Sequence, residues 1–188
     1  VRRRDGHVLD FDLDLLGSYQ CHNIVTALAT LDLLHEQTPL TISRRAFVDG
    51  AGSAARMTAL QGRWQCLGEQ PKVLCDTGHN AHGLTYVAEQ LRTSHEGGRL
   101  YCVLGFSGDK DIDAILALLP REAYYLFTQA ASERAFSAAE LASRAAAAGL
   151  EGEMVATVTE AVAKAKALAR PVDTIFIGGS TFVVAEVL

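Results

Sequence analysis

From residue 73 the sequence reads Val-Leu-Cys-Asp-Thr-Gly-His-Asn, and from residue 100 it reads Leu-Tyr-Cys-Val-Leu-Gly-Phe-Ser. Between these apolar runs lies a helix-compatible stretch over 81–94. The same succession repeats to the end of the chain, with apolar runs at 124–127, 154–158 and 174–177 and helix-compatible stretches at 111–119, 138–148 and 160–170. Alternating strands and helices are typical of a mostly parallel sheet with helices on both faces. We therefore predict a Rossmann-like α/β fold from about residue 60 onward.

The residues before this repeat follow another pattern. Apolar and acidic residues alternate over 8–15, which predicts a half-exposed strand. Apolar residues then recur at helical spacing over about 20–36, which predicts an amphipathic helix, and residues 43–51 are predicted to form a second, short helix. Glycine and serine follow as a linker signal. The predicted organisation is a β/α segment, a linker and an α/β domain, at residues 1–52, 53–59 and 60–188.

Composition and charge narrow the class of protein. Hydrophobic residues make up 49% of the 188 residues, which is enough for a real core. The 17 Lys and Arg against 22 Asp and Glu give a net charge of −5, which argues against binding nucleic acid through bulk charge. No apolar run approaches the ~18 residues that a membrane span needs.

The four cysteines show no metal-binding spacing, and reduced cysteines fit a cytoplasmic protein. The chain lacks an initiator Met and ends inside the apolar stretch 181–188. We therefore expect a piece of a longer protein.

Polar or glycine-rich residues follow four of the predicted strands. In open parallel sheets, ligands bind beyond the carboxyl ends of the strands, so these loops predict a binding site at one edge. Each loop alone is also compatible with an ordinary turn, because Gly, Asp and Ser favour turns. The four loops are Asp76-Thr77-Gly78-His79-Asn80, the residues from Gly105 to Asp111, those from Thr128 to Arg134, and Gly178-Gly179-Ser180-Thr181.

Several of these residues have two interpretations. Asp76 is either a helix N-cap or a ligand, since Asp76, His79 and Asn80 place a carboxylate, an imidazole and an amide at one strand end. Ser180 either caps the last helix or, with the two glycines before it, forms an anion pocket from free backbone amides. Arg63 is either a surface group or a phosphate ligand. Neither GxxxxGK[ST] nor GxGxxG occurs, so the chain has no phosphate loop of its own.

Five motifs occur together in a recognisable order. They are Leu16-Gly17-Ser18-Tyr19-Gln20-Cys21-His22-Asn23, Gln61-Gly62-Arg63-Trp64, Cys75-Asp76-Thr77-Gly78-His79-Asn80, the Gly105 to Asp111 loop, and Gly178-Gly179-Ser180. From about residue 8 to its end, the chain resembles the C-terminal part of folylpolyglutamate synthase/dihydrofolate synthase, within the Mur ligase superfamily. It departs from the commoner Asp-Gly-Ala-His-Asn form in its third motif, and it has Ala81 where a proline often follows.

The resemblance implies an ATP-dependent ligase. ATP phosphorylates the carboxylate of dihydropteroate or a folate, and the amino group of L-glutamate attacks the acyl phosphate to form an amide. An N-terminal ATPase domain, absent from this chain except for a tail at 1–52, holds the phosphate loop and the Mg²⁺ ligands.

Site residues follow from the same resemblance. Asn23 contacts the adenine, Arg63 the phosphates and Asp76 the ribose, while His79 and Ser180 help to hold glutamate, which makes Arg63 and His79 the catalytic candidates. The resemblance assigns no role to the run 109–111, for which a salt-bridged loop staple is the default interpretation.

Two other hypotheses remain open. One is a peptidoglycan-precursor ligase of the same superfamily, although the 76–80 loop and the 178–180 glycine motif favour the folate branch. The other is a non-catalytic ligand-binding or regulatory α/β domain, which the missing phosphate loop supports. Within the folate branch, the sequence does not distinguish synthesis of dihydrofolate from extension of polyglutamate tails.

Overall fold

The computed structural model describes residues 1–2, 6–94 and 97–188. The chain divides into two compact units, Val1–Gln61 and Gly62–Leu188. No helix among these described residues is long and apolar enough to cross a membrane.

The first unit is helical. It contains α1 (Gln20–Gln37), α2 (Arg44–Ala51) and α3 (Ala54–Thr58). The two helices predicted from spacing are confirmed, and Ser43 caps α2 by accepting a hydrogen bond from the Ala46 N–H at 3.1 Å. The segment predicted as a linker, 53–59, instead contains α3.

The strand predicted over 8–15 is wrong. Apart from an isolated bridge between Val8 and Arg2, the described residues of this stretch pair with no strand. Its apolar side chains are nevertheless used, since Leu9 is buried and Phe11 packs edge-on against Phe47 of α2 at 5.3 Å. Alternation reports which side chains are buried, but a strand also needs a neighbour for its backbone hydrogen bonds.

The second unit is an α/β sandwich, which confirms the predicted fold class. Its elements, in chain order, are β1 (Gln65–Glu69), β2 (Lys72–Asp76), α4 (Ala81–Ser94), β3 (Leu100–Leu104), α5 (Ile112–Leu116), β4 (Tyr124–Phe127), α6 (Ala138–Ala147), β5 (Glu151–Met154), α7 (Val158–Leu168), β6 (Thr174–Gly178) and α8 (Thr181–Ala185). Among the described residues they form one six-stranded sheet in the order β1-β2-β6-β3-β4-β5. β2, β6, β3, β4 and β5 run parallel, and β1 is antiparallel to β2.

Two strand predictions need correction. The run 154–158 was expected to be a strand, but β5 ends at Met154 and Val158 already begins α7, where its side chain is buried. An apolar run cannot by itself distinguish a strand from a buried helix start. Strand β1 was not predicted, because its residues are mostly exposed and show no clear alternation.

The core lies on both faces of the sheet. On one face Leu74 and Phe176 pack in a cluster with Leu84 of α4 and Leu141 of α6. On the other, residues such as Ile175 pack with the buried sides of α7 and α8. Alternate residues of the buried parallel strands thus face opposite layers, and the carboxyl edge of the sheet stays clear for loops.

Candidate functional site

The loops after β2, β6, β3 and β4 begin at the same level of the sheet. The strand register pairs Asp76 with Gly178, Gly178 with Leu104, and Leu104 with Phe127. The predicted convergence of polar loops at one edge is therefore confirmed.

An open cleft lies between these four loops. It is lined by His79, Ser107, Asp109, Lys110, Arg134, Ser180, Thr181 and Phe182. The structure thus brings together His79 and Ser180, the two residues that the resemblance assigns to glutamate. His79 is exposed, and its Nδ1 lies 3.0 Å from the carbonyl oxygen of Thr77.

Ser180 caps α8. Its side chain is buried, with the residue 3% exposed, and its Oγ accepts a hydrogen bond from the Val183 N–H at 3.1 Å. A hydroxyl that accepts one bond keeps its own O–H for donation, so capping leaves Ser180 able to donate to a ligand. Because α8 has five residues, few peptide dipoles add up at its start, and hydrogen bonds rather than a macrodipole would hold an anion there.

The glycines before Ser180 allow protein segments to approach each other. A Cβ on Gly178 would lie 2.8 Å from the carbonyl oxygen of Asp76, and one on Gly179 would lie 2.7 Å from that of Gly105. Gly179 also has φ +91°, which other residues rarely adopt. These two glycines therefore permit the close packing of neighbouring backbone segments at the strand ends.

Asp76 is a buried hydrogen-bond acceptor at the end of β2. The residue is 1% exposed; its Oδ2 accepts from the Trp64 N–H at 2.8 Å and its Oδ1 from the Gly78 N–H at 2.7 Å. Trp64 has φ +50°, so the carboxylate holds a turn in which the backbone is strained. Asp76 is therefore not the N-cap of α4. Asn80 takes that place, with its Oδ1 accepting from the Gly83 N–H at 2.8 Å.

Arg63 lies next to the turn that Asp76 holds. It is half-buried, and its guanidinium donates to the carbonyl oxygen of Gly62 at 3.3 Å. No ion pair of Arg63 is found among the described residues, so its charge is available to an anion. Arg63 and Asp76 thus sit at the same strand end, outside the residues that line the cleft.

Asn23 belongs to the first unit and lies on α1. It is exposed, and its Nδ2 donates to Gln20 Oε1 at 2.8 Å. It lines a mostly apolar pocket with Leu13, Leu15, Gln20, Ile24, Ala27, Ala51 and Ala54. An amide beside an apolar pocket suits a flat heterocycle with polar edges.

Sequence reasoning gave no role to Lys110 and Arg134, although it placed both at this edge. Lys110 Nζ lies 2.6 Å from Asp109 Oδ2, so the expected salt-bridged staple is present, while Asp111 caps α5 by accepting from the Ala114 N–H at 3.1 Å. The hydrogen bond from Lys110 lowers the pKa of the Asp109 carboxyl below its usual value, and the nearby charge of Arg134 adds to that effect. Only the folded chain shows that both cations line the cleft of His79 and Ser180.

Among the described residues no group of three or more His, Cys, Asp or Glu side chains is placed to hold a metal ion.

Three comparisons place this geometry beside known proteins. The family described as Mur ligase, glutamate ligase domain, matches residues 62–181. The dihydrofolate synthase/folylpolyglutamate synthase of Escherichia coli is 32% identical over 168 residues, which is 88% of this chain and 37% of that protein.

Two solved structures are similar along nearly the whole chain. The E. coli FolC complex with DHPP and ADP aligns with a TM-score of 0.82 and 30% identity, and covers 98% of this chain. A bifunctional folylpolyglutamate synthase/dihydrofolate synthase with Mn, AMPPNP and L-glutamate bound aligns with a TM-score of 0.80 and 27% identity, and covers 96% of this chain. The chain spans 41% of the length of each of these structures.

Proposed function

The chain belongs to the Mur ligase family, whose glutamate ligase domain matches residues 62–181, and from this premise we propose that it is the C-terminal part of an ATP-dependent ligase that joins L-glutamate to dihydropteroate or a folate. The observation that carries the proposal is the cleft in which His79, Lys110, Arg134 and Ser180 meet. It offers two cations, an imidazole and a hydroxyl, which are suitable partners for the carboxylates of an amino acid.

In this proposal the reaction runs through an acyl phosphate. ATP phosphorylates the carboxylate of the pterin substrate, and the amino group of glutamate attacks the carbonyl carbon. The C–N bond forms as phosphate leaves, and the nitrogen loses a proton. His79 and Ser180 hold the glutamate near the reacting carbon, which lowers the entropy cost of bringing the two reactants together.

The nucleotide contacts are proposed residue by residue. Asn23 contacts the adenine, Arg63 the phosphates and Asp76 the ribose. Arg63 suits charge that develops on a transferred phosphoryl group, because a guanidinium is permanently charged and offers a fork of donors. Asp76 has both oxygens engaged by backbone amides, so in this proposal it holds the turn beside Arg63 as well as contacting the ribose.

A central ATPase domain, preceding this chain in a longer protein, is part of the proposal. Residues 1–52 are its tail, and that domain supplies the phosphate loop and the Mg²⁺ ligands. The ATP-binding residues proposed here are therefore not metal ligands. The ligase is proposed to act in the cytoplasm.

A peptidoglycan-precursor ligase is the weaker alternative, because the relatives that cover most of this chain are named as folate enzymes. The deciding experiment measures ADP release by the full-length protein with ATP, Mg²⁺ and L-glutamate, and compares dihydropteroate and tetrahydrofolate with a UDP-muramyl peptide. We expect turnover with a pterin substrate only. The 188-residue chain alone should bind ligands but form no amide. Turnover with the sugar nucleotide alone, or amide formation by the isolated chain, would contradict the proposal.

A further inference from the structure

We infer that Gln20 is a positioning residue for the nucleotide base. It holds the side-chain amide of Asn23 in one orientation, and the pocket beside these two residues then selects an aminopurine over an oxopurine. This role rests on the proposed function, in which Asn23 contacts the adenine, and it adds a second residue and a source of base selectivity to that contact.

Gln20 is buried although its side chain is polar. It begins α1 and is 7% exposed, and α1, whose residues are all described, buries only one other residue, Leu28. Burying an amide costs free energy unless its hydrogen-bonding groups find partners. The side-chain oxygen of Gln20 has such a partner, because the Nδ2 of Asn23 donates to Gln20 Oε1 at 2.8 Å.

This hydrogen bond fixes which way the Asn23 amide faces. Residues three apart lie side by side on a helix, and the first turn of α1 is held by the Gln20 N–H, which donates to the carbonyl oxygen of Gly17 at 2.9 Å. The amide of an exposed asparagine otherwise turns over easily, since its last torsion has broad, roughly two-fold preferences. Turning it over here would bring Asn23 Oδ1 against Gln20 Oε1, and two acceptors repel each other. Gln20 therefore favours the orientation with Nδ2 towards itself.

In this orientation Asn23 keeps a donor and an acceptor for a ligand. Gln20 uses one of the two N–H groups on Nδ2, and the other remains. Asn23 Oδ1 accepts no hydrogen bond from any residue that the structure describes. These two groups lie side by side on the amide, so they match a ligand edge that has a donor beside an acceptor.

The pocket that Gln20 and Asn23 line has the size and character of a base site. Its volume is about 220 Å³, and apolar side chains such as those of Leu15, Ile24 and Ala54 form most of its wall. A cavity below the ~300–1,000 Å³ of typical ligand sites suits one ring system better than a whole nucleotide. A flat base therefore fits between the apolar walls with its polar edge towards Asn23.

Adenine has the matching polar edge, and guanine does not. The exocyclic amine of adenine donates and its N7 accepts, so an asparagine amide binds both groups at once. Guanine carries the acceptor O6 in place of the amine, and the fixed Oδ1 of Asn23 would face that acceptor. Without Gln20 the Asn23 amide turns over, so adenine loses part of its bidentate contact while guanine loses nothing.

The test compares ATP with GTP in steady-state kinetics of the full-length ligase. Gln20→Leu removes the acceptor with little change of volume. We expect it to raise the KM for ATP about fivefold and to change the KM for GTP less than twofold, which lowers the preference for ATP in kcat/KM. Gln20→Glu keeps acceptor oxygens and should keep most of the preference. Thr30→Ala is the matched control, because Thr30 is exposed on the same helix, and circular dichroism checks that each variant is folded.

A double-mutant cycle shows whether Gln20 acts through Asn23. If it does, Gln20→Leu should have no further effect on the preference for ATP in an Asn23→Ala background. Additive losses would mean that Gln20 contacts the base or shapes the pocket by itself, which contradicts the positioning role.

The failures of the two proposals are distinguishable. If the wild-type ligase shows no ATP-dependent turnover with L-glutamate and a pterin substrate, the proposed function fails and the role of Gln20 fails with it. If it turns over and Gln20→Leu keeps the preference for ATP, only the role of Gln20 is overturned. Equal losses for ATP and GTP would mean that Gln20 serves packing alone, and a Gln20→Glu variant that behaves like Gln20→Leu would mean that the Gln20 amide donates rather than accepts. Both of these results also overturn the positioning role.

Discussion

Replacing Asp76 by alanine tests whether this carboxylate holds the turn that carries Arg63. The change removes the acceptor of two backbone N–H groups, that of Trp64 at 2.8 Å and that of Gly78 at 2.7 Å. A buried donor left without a partner costs about 1–3 kcal/mol. Since the hydrogen bond of Gly78 is only partly buried, we expect the free energy of unfolding to fall by about 2–4 kcal/mol in total.

The assay is urea unfolding followed by tryptophan fluorescence. The sequence has a single tryptophan, and this residue, Trp64, is 5% exposed and packs against Phe176 at 5.9 Å. Its emission therefore reports on the second unit. With an m-value of about 2 kcal/mol/M, the expected loss lowers the urea midpoint by about 1–2 M.

Two further variants sharpen the result. Asp76→Asn keeps one acceptor oxygen but turns a donor NH2 group towards the other backbone N–H, so it should also lower the free energy of unfolding. Asp109→Ala removes an acidic side chain from the same edge, but that side chain is 51% exposed, so its midpoint should hardly move. An Asp76→Ala midpoint equal to that of the wild type would refute the structural role. It would then leave ribose binding as the main role of Asp76.

The remaining predictions concern acid stability, capping and phosphate binding. Hydrogen bonds from Arg170 lower the pKa of the buried Asp173 carboxyl to about 2. The ionised carboxyl therefore contributes about 2 kcal/mol to the free energy of unfolding above pH 4, and this contribution is lost as pH falls towards 2. The stability difference between wild type and Asp173→Asn, measured by unfolding at each pH, should vanish across that window, and a difference that is constant with pH would exclude the linkage. Ser180→Ala removes a helix cap and should lower the free energy of unfolding by about 1 kcal/mol, and it should also weaken glutamate binding several-fold. Ser137→Ala, which removes the cap of α6, should lower stability only. Equal glutamate affinities in both variants would mean that Ser180 acts only as a cap. In steady-state kinetics of the full-length ligase, Arg63→Ala should lower kcat more than it raises the KM for ATP, because charge on the phosphoryl group grows in the transition state. Unchanged kinetics would mean that Arg63 is a surface residue and not a phosphate ligand.

Local patterns in the sequence were sufficient for the class of fold. Apolar runs predict buried strands such as Leu100–Leu104, and helical spacing predicts helices such as Ala81–Ser94. Both patterns involve only residues that are close together in the sequence. The convergence of the polar loops also followed from the sequence, because parallel strands place their carboxyl ends at one edge. His79 and Ser180 were accordingly expected in one crevice, and they line one cleft.

Pairing between distant segments was decided only by the tertiary structure. Strand β6 lies between β2 and β3, β1 adds itself antiparallel to the sheet, and the alternating stretch 8–15 finds no strand partner among the described residues. A strand forms only where another backbone segment supplies its hydrogen bonds, and the local sequence pattern does not identify that segment. For the same reason, only the fold shows that Asp76 is used by the Trp64 turn and that Lys110 and Arg134, 24 residues apart, line the cleft of Ser180. The sequence by itself determined which residues are apolar, charged or free to turn, and the long-range contacts determined which of them meet.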